Sequence, residues 1–255
     1  MDLPPNPFKH SLGRNDLRIG LWSTLCSNIS AEIIAHAGFD WILLDTEHSA
    51  NELPDLLRQL QAMTGGTASP VVRAAWNDPV LIKRILDIGA QSLLLPYVQT
   101  AQEARQAVQS VRYPPKGIRG VSASSRASRY GRVKNYLTRA DEEICLIVQI
   151  ETRTGLDNLE AIAATEGLDG VFIGPADLSA SLGHLGQPQH PETQAALHDA
   201  AQRLTRAGKA AGILATVEAD ARRYIEWGYR FVAVGTDTTL LANGADALAR
   251  SFKKT

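Results

Sequence analysis

Eight short, nearly continuous apolar runs alternate along the chain with stretches in which apolar residues recur every three to four positions. The runs fall at residues 19–25 (IGLWSTL), 41–47 (WILLDTE), 70–75 (PVVRAA), 92–98 (SLLLPYV), 145–151 (CLIVQIE), 169–174 (DGVFIG), 211–214 (AGIL) and 231–235 (FVAVG). Hydrophobicity that is unbroken rather than alternating is what parallel strands covered on both faces require. The periodic stretches predict helices over 30–37, 52–63, 78–88, 101–112, 155–164, 191–207, 217–227 and 238–252. Asn77-Asp78-Pro79 supplies a capping side chain just before a first-turn proline. Gly38, Gly89, Gly208 and Gly228 stand where helices stop in a left-handed turn. Eight strand–helix pairs are the count of a closed (β/α)8 barrel, the TIM barrel, and 255 residues suit one such α/β domain spanning 1–255. An open, doubly wound sheet is the alternative, because spacing alone does not show closure.

One connection is too long. Between the fourth and fifth strands, RYPPKGIRGVSASSRASRYGRVKNYL exceeds what a single helix needs and is rich in Gly, Ser and Arg. Loops of this length in compact domains serve a function or are disordered. Following a strand, it is expected on the C-terminal face of the barrel, where barrel enzymes build their sites.

Composition narrows the function classes. The formal net charge of −1 gives no global attraction to nucleic acid or to an anionic membrane surface. No apolar stretch approaches the roughly 20 residues of a membrane span. The polar, proline-bearing start, MDLPPNPFKHSLGRND, lacks the apolar centre of a signal peptide, so a soluble cytoplasmic protein is expected. Cys26 and Cys145 have no metal-ligand or disulfide spacing and read as small buried hydrophobes.

In a barrel, side chains at the strand ends converge on one mouth. Here those ends are Asp45, Glu47 and His48, then Arg73, then Gln149 and Glu151, then Asp177 just after Gly174-Pro175-Ala176. Two carboxylates with few other protein ligands, Glu151 and Asp177, suit a hard divalent cation such as Mg²⁺ or Mn²⁺. The competing reading is that each merely caps the helix that follows it. His48 suits a general base near neutral pH, or is simply a hydrogen-bonded loop histidine. Arg73 interrupts an apolar strand and needs an anionic partner, either a neighbour such as Glu47 or a bound anion or enolate. The backbone N–H groups of Ala176 and Asp177, at a helix start, favour a substrate carboxylate. Trp22, Trp41 and Trp76 read as core or pocket wall. None of the lysines interrupts a predicted strand, which argues against a Schiff-base mechanism. No GxGxxG, P-loop or nucleophile-elbow serine occurs.

The segments GFDWILLDTEHSAN, PVVRAAWNDPVLIKRILDIGAQSLLLPYVQ, RYPPKGIRGVS, LIVQIET, DGVFIGPADLSASLG and FVAVGTDTTLL resemble the HpcH/HpaI aldolase family, from about Ile19 to Phe252. The resemblance implies a metal-dependent, class II pyruvate aldolase that uses Mg²⁺, Mn²⁺ or Co²⁺. It implies Glu151 and Asp177 as metal ligands, His48 as proton acceptor and Arg73 as enolate stabiliser. Gln149 and the Gly174–Asp177 turn would hold the substrate, and Asp87, in ILDIG, would raise the basicity of the histidine. The periodicity resists this last role, because Asp87 falls near the end of a helix running away from the mouth. A neighbouring subunit or a local break would have to bring it close. The chain departs from the family's usual DGEH by having Thr46, whose side chain could narrow the mouth.

The implied substrates are small molecules: a 4-hydroxy-2-oxo acid such as 4-hydroxy-2-oxoheptanedioate, cleaved to pyruvate and an aldehyde, or alternatively 2-dehydro-3-deoxyglucarate. Two rival readings are a lyase of acyl-CoA thioesters, with Arg119, Arg126, Arg129 and Arg132 lining a nucleotide groove, and a non-catalytic binder of metal and carboxylate. The resemblance also implies a homo-oligomer, a hexamer built as a trimer of dimers. In it the last helix, with its stripe of Leu240, Leu241, Ala245 and Leu248, would exchange between subunits; otherwise that helix would close the outer ring of its own barrel.

Overall fold

A helix absent from the sequence reading plugs one end of the fold. In the computed structural model, which describes residues 1–253, helix α1 (Pro7–Gly13) is capped by Asn6, whose side chain accepts the Lys9 N–H at 3.2 Å. Its Phe8 ring stands 5.6 Å from the Trp41 ring and 5.9 Å from the Phe231 ring. With two core contacts in seven residues, α1 is too short to show a period, and the proline-bearing start hid it.

Above this plug the strands β1 (Arg18–Ser23), β2 (Trp41–Asp45), β3 (Ser69–Arg73), β4 (Ser92–Leu95), β5 (Cys145–Ile150), β6 (Gly170–Ile173), β7 (Ala210–Leu214) and β8 (Phe231–Thr236) pair in parallel, and β8 returns to β1. The barrel is therefore closed, and the open-sheet alternative is excluded. Alternate residues face inwards and outwards, as the strand period demands. Trp41, Leu43 and Val71 belong to the inner core, while Ile42, Leu44 and Val72 pack beneath the helices. Each such side chain contributes about 1.5–3 kcal/mol by leaving water. Two inward glycines make room for the aromatic floor: a Cβ on Gly20 would run into the Trp41 ring, and one on Gly212 into Phe231.

The helices follow in chain order as α2 (Asn28–Ala35), α3 (Leu53–Ala62), α4 (Pro79–Asp87), α5 (Ala101–Val111), α6 (Tyr136–Arg139), α7 (Arg153–Asp157), α8 (Leu159–Ala163), α9 (Pro175–Ser181), α10 (Pro191–Arg206), α11 (Glu218–Trp227) and α12 (Asp237–Phe252). The expected cap of α4 is Asp78, which accepts the Val80 and Leu81 N–H groups at 2.8 and 2.9 Å. Gly228 ends α11 with φ at 112°, as a left-handed stop requires. The helix expected over 155–164 is broken at Asn158, whose amide donates to the Gln99 carbonyl at 2.9 Å. Cys145 is buried as expected, but Cys26 is only half-buried: β1 ends at Ser23, and Cys26 turns out of the strand with φ at 55°.

The long Gly/Ser/Arg segment lies at the other end of the barrel from the one expected. The chain leaves β4, turns within five residues, and descends α5 before entering residues 112–144. The segment therefore packs at the N-terminal end, against the end of α4 and the chain start. Arg126 Nη1 donates to the Ile88 carbonyl at 2.8 Å, and the Lys134 N–H donates to the Met1 carbonyl at 3.2 Å. This placement removes Arg119, Arg126, Arg129 and Arg132 from the mouth of their own barrel.

The last helix does not close the outer ring. Asp237 anchors α12, its carboxylate accepting from Ser23 Oγ and the Thr24 N–H, both at 2.9 Å. Beyond it, Leu240, Leu241, Leu248 and Phe252 are 57–84% exposed. Among the described residues, no helix is long and apolar enough to cross a membrane.

Candidate active site

The inward positions at the C-terminal ends of β1, β2, β3 and β5 are Trp22, Asp45, Arg73 and Gln149, so the apolar interior gives way there to a polar layer. Asp45 and Arg73 are both buried and form a two-pronged pair, with Nε to Oδ1 at 2.8 Å and Nη2 to Oδ2 at 2.7 Å. Arg73 Nη1 lies 2.8 Å from Glu47 Oε2. Below the guanidinium lies the Trp22 ring, 4.9 Å from Cζ, whose Nε1–H donates to Asp45 Oδ2 at 3.2 Å. Trp22 is thus pocket wall, as read, and also positions the pair. Burial pushes the Asp45 carboxyl up, but the Arg73 hydrogen bonds and charge outweigh it and leave the group below its usual range. Burial likewise opposes the charge on Arg73, yet Asp45 and Glu47 hold its pKa above the ordinary value. The pair is fixed and ionised. Arg73 therefore finds its anionic partner in both Asp45 and Glu47.

Glu151 follows the last residue of β5 and is buried. Its Oε1 accepts the Tyr97 N–H at 2.8 Å, and its Oε2 accepts from the Gln149 amide in a very short contact. Burial pushes its pKa up to about 7; the Gln149 and Tyr97 hydrogen bonds oppose the rise, while the charges of Asp177 and Glu47 add to it. Burial also raises Glu47, with Arg73 pulling it down and Asp45 and Asp177 pushing it up. Asp177 is an exposed residue of the first turn of α9, which begins at Pro175. Neither carboxylate caps a helix: the cap of α7 is Thr152, and that of α9 is Gly174, with no side-chain bond. The capping reading is thereby set aside.

Gly174 joins β6 to α9 and borders the carboxylate directly. A Cβ there would lie 2.7 Å from Glu151 Oε2 and 3.1 Å from Gln149 Nε2. The N–H groups of Ala176 and Asp177, in the first turn of α9, have no partner within the helix. His48 stands at the rim with its side chain 65% exposed and Nε2 4.0 Å from Glu47 Oε1, beyond hydrogen-bonding distance. Thr46 does not narrow the mouth through its hydroxyl, which instead donates to the Arg73 carbonyl at 2.6 Å. Asp87 is the residue the structure does not bring in. It ends α4, at the N-terminal end of the barrel, and pairs with Arg119 at 2.9 Å.

The residues present fit a divalent cation. Three carboxylates, Glu47, Glu151 and Asp177, interact electrostatically at one mouth, and the nearby cation, Arg73, is already engaged. Gln149 Oε1 is buried with no hydrogen-bond partner among the described residues, leaving one more oxygen acceptor to be satisfied. An all-oxygen set of this kind matches a hard divalent cation better than a thiophilic one. Among the described residues, no lysine lies on a strand.

A closed (β/α)8 barrel whose mouth gathers carboxylates that fit a cation around an immobilised arginine has the parts needed to stabilise an enolate. The chain belongs to the HpcH/HpaI aldolase/citrate lyase family, which it matches over residues 18–244. It is 58% identical over 248 residues to the 4-hydroxy-2-oxo-heptane-1,7-dioate aldolase of Klebsiella pneumoniae, covering 97% of this chain and 94% of that protein. It is 51% identical to the 5-keto-4-deoxy-D-glucarate aldolase of Escherichia coli O6:H1, covering 99% of both. A crystal structure of a family member from Burkholderia cenocepacia superposes with a TM-score of 0.95 at 39% identity, covering 98% of this chain and all of that one.

Proposed function

We propose that this chain is a divalent-metal-dependent aldolase that reversibly cleaves a 4-hydroxy-2-oxo acid into pyruvate and an aldehyde. The observation that carries the reading is the buried Glu151, clamped by Tyr97 and Gln149 beside Asp177, with its pKa near 7 waiting for a cation. The relatives' activities support a dicarboxylic substrate of the 4-hydroxy-2-oxoheptanedioate type, with a deoxyglucarate-type sugar acid as the second candidate.

A divalent ion held by Glu151 and Asp177 would supply Lewis-acid polarisation of the 2-oxo group and draw off enolate charge. The chain's own residues do the rest. The Ala176 and Asp177 N–H groups hold the substrate carboxylate, and Gln149 fills the wall beside it. His48 accepts the proton of the 4-hydroxyl. The C3–C4 bond breaks, its electron pair passes into the pyruvate enolate, and C4 becomes the aldehyde carbonyl. Arg73, fixed by Asp45 and Glu47, presents a positive charge that needs no reorganisation as the enolate forms. The proton returned to C3 yields pyruvate.

Asp87 can serve His48 only from a second chain, since in its own barrel it stands at the far end of α4. The unpartnered apolar side of α12 supports such an assembly, with the terminal helix exchanged in a hexamer. Single substitutions separate the roles. Glu151→Ala should lose metal binding and turnover together, whereas His48→Ala should keep the metal and lose about 10²–10⁴-fold in kcat. Normal turnover by His48→Ala would remove it as the base.

A further inference from the structure

The turn between α9 and α10 gathers three side chains that the aldol reaction does not use. His184 lies in the turn, His190 caps α10, and Glu192 sits in the first turn of that helix. One ligand atom from each lies within 4.8 Å of the other two. His184 Nε2 is 2.8 Å from Glu192 Oε2, and the two imidazoles stack with centroids 3.4 Å apart. The group is braced from both sides. Arg153 donates to Glu192 Oε1 at 3.0 Å, leaving Oε2 turned towards the rings. The His184 N–H donates to the Ser179 carbonyl at 2.8 Å, tying the turn to α9.

We propose that His184, His190 and Glu192 form a second metal site, which takes a borderline transition-metal ion such as Zn²⁺ or Ni²⁺. Two imidazoles and one carboxylate are the donors these ions prefer, whereas Mg²⁺ prefers oxygen alone. This separates the site chemically from the all-oxygen mouth. Metal–ligand bonds of roughly 2.0–2.2 Å place ligand atoms roughly 3–3.5 Å apart. The His184–Glu192 pair is already near that spacing. His190 reaches it by rotating its ring, giving up a long 3.3 Å bond in which Nδ1 accepts the Glu192 N–H. Solvent completes the coordination, since the cluster lies at the surface. The bound ion would tie α9, which carries Asp177, to the start of α10.

The test is equilibrium dialysis of the full-length protein against Zn²⁺ in saturating Mg²⁺, with bound metal counted by mass spectrometry. Zn²⁺ should also shift the imidazole ¹⁵N resonances of His184 and His190. The parent should hold one more equivalent of Zn²⁺ per chain than the His184→Ala/His190→Ala double variant. Equal uptake by the two proteins, or unmoved resonances, overturns the proposal. If the double variant fails to fold, Glu192→Gln keeps both rings and should weaken Zn²⁺ binding by at least about tenfold. Unchanged affinity in Glu192→Gln would mean that the stacked rings only cap and brace α10.

Discussion

Replacing Gly174 by alanine adds one methyl group and leaves the backbone unstrained, because φ −87° and ψ 100° are open to any residue. The whole effect is steric and falls on the carboxylate. The new Cβ would stand 2.7 Å from Glu151 Oε2 and 3.0 Å from Glu151 Cβ. Restoring ordinary contact needs a shift of roughly half an ångström or more. Glu151 cannot yield freely, because Tyr97 holds one oxygen at 2.8 Å and Gln149 grips the other. One of those bonds must lengthen, at about 1.5–3 kcal/mol for a bond to a charged group. A displacement of this order at a reacting centre costs about 10²-fold in rate. The variant should therefore fold, melt somewhat lower, bind metal about 10–100-fold more weakly, and lose about 10²-fold in kcat/KM. Pyruvate release followed through lactate dehydrogenase, with a metal titration and a thermal melt, measures all three. Gly13→Ala is the control: it has open space around it and should leave activity unchanged. If Gly174→Ala keeps kcat/KM and metal affinity within about threefold of the parent, Glu151 is not a positioned metal ligand.

The metal-free protein should become less stable as pH rises. Burial and neighbouring carboxylates keep Glu151 protonated up to about 7, against 4.5 in the unfolded chain. Stability present below 4.5 is thus lost as pH passes through 7, by up to about 3 kcal/mol, and Glu151→Gln should flatten the profile. For the same reason metal affinity should fall about tenfold per pH unit below 7, measured by titration calorimetry. Deleting residues 238–255 should convert an oligomer into monomers with impaired turnover; a fully active monomer of the intact chain in light scattering would refute the assembly.

The architecture was legible because both faces of every strand are buried. Trp41, Leu43 and Asp45 face in while Ile42 and Leu44 face out, so the whole run reads as apolar until the charge at its end. The same contrast exposed Asp45, Arg73, Gln149 and Glu151 as strand-end exceptions. Glu47 was visible as a strand-end carboxylate and a neighbour of Arg73, but not as a charge felt by Asp177, which comes from another loop. The Tyr97 amide had no signal at all, since a backbone donor has no residue type. The place of the long segment follows from the helix over 101–112, which returns the chain to the N-terminal end, so everything after it belongs there. Helix α1 left too few residues for periodicity, and the apolar stripe of α12 reads like any ring-closing face although Leu240, Leu241 and Leu248 are exposed.

In the proposed mechanism cleavage depends on a cation held by Glu151 and Asp177, and exhaustive chelation puts that dependence to the test. Pyruvate release from a 4-hydroxy-2-oxo acid should fall to background and return on adding Mg²⁺, Mn²⁺ or Co²⁺, with no such return in Glu151→Ala. Cleavage that survives chelation, together with a pyruvate adduct trapped on a lysine by borohydride, would contradict it.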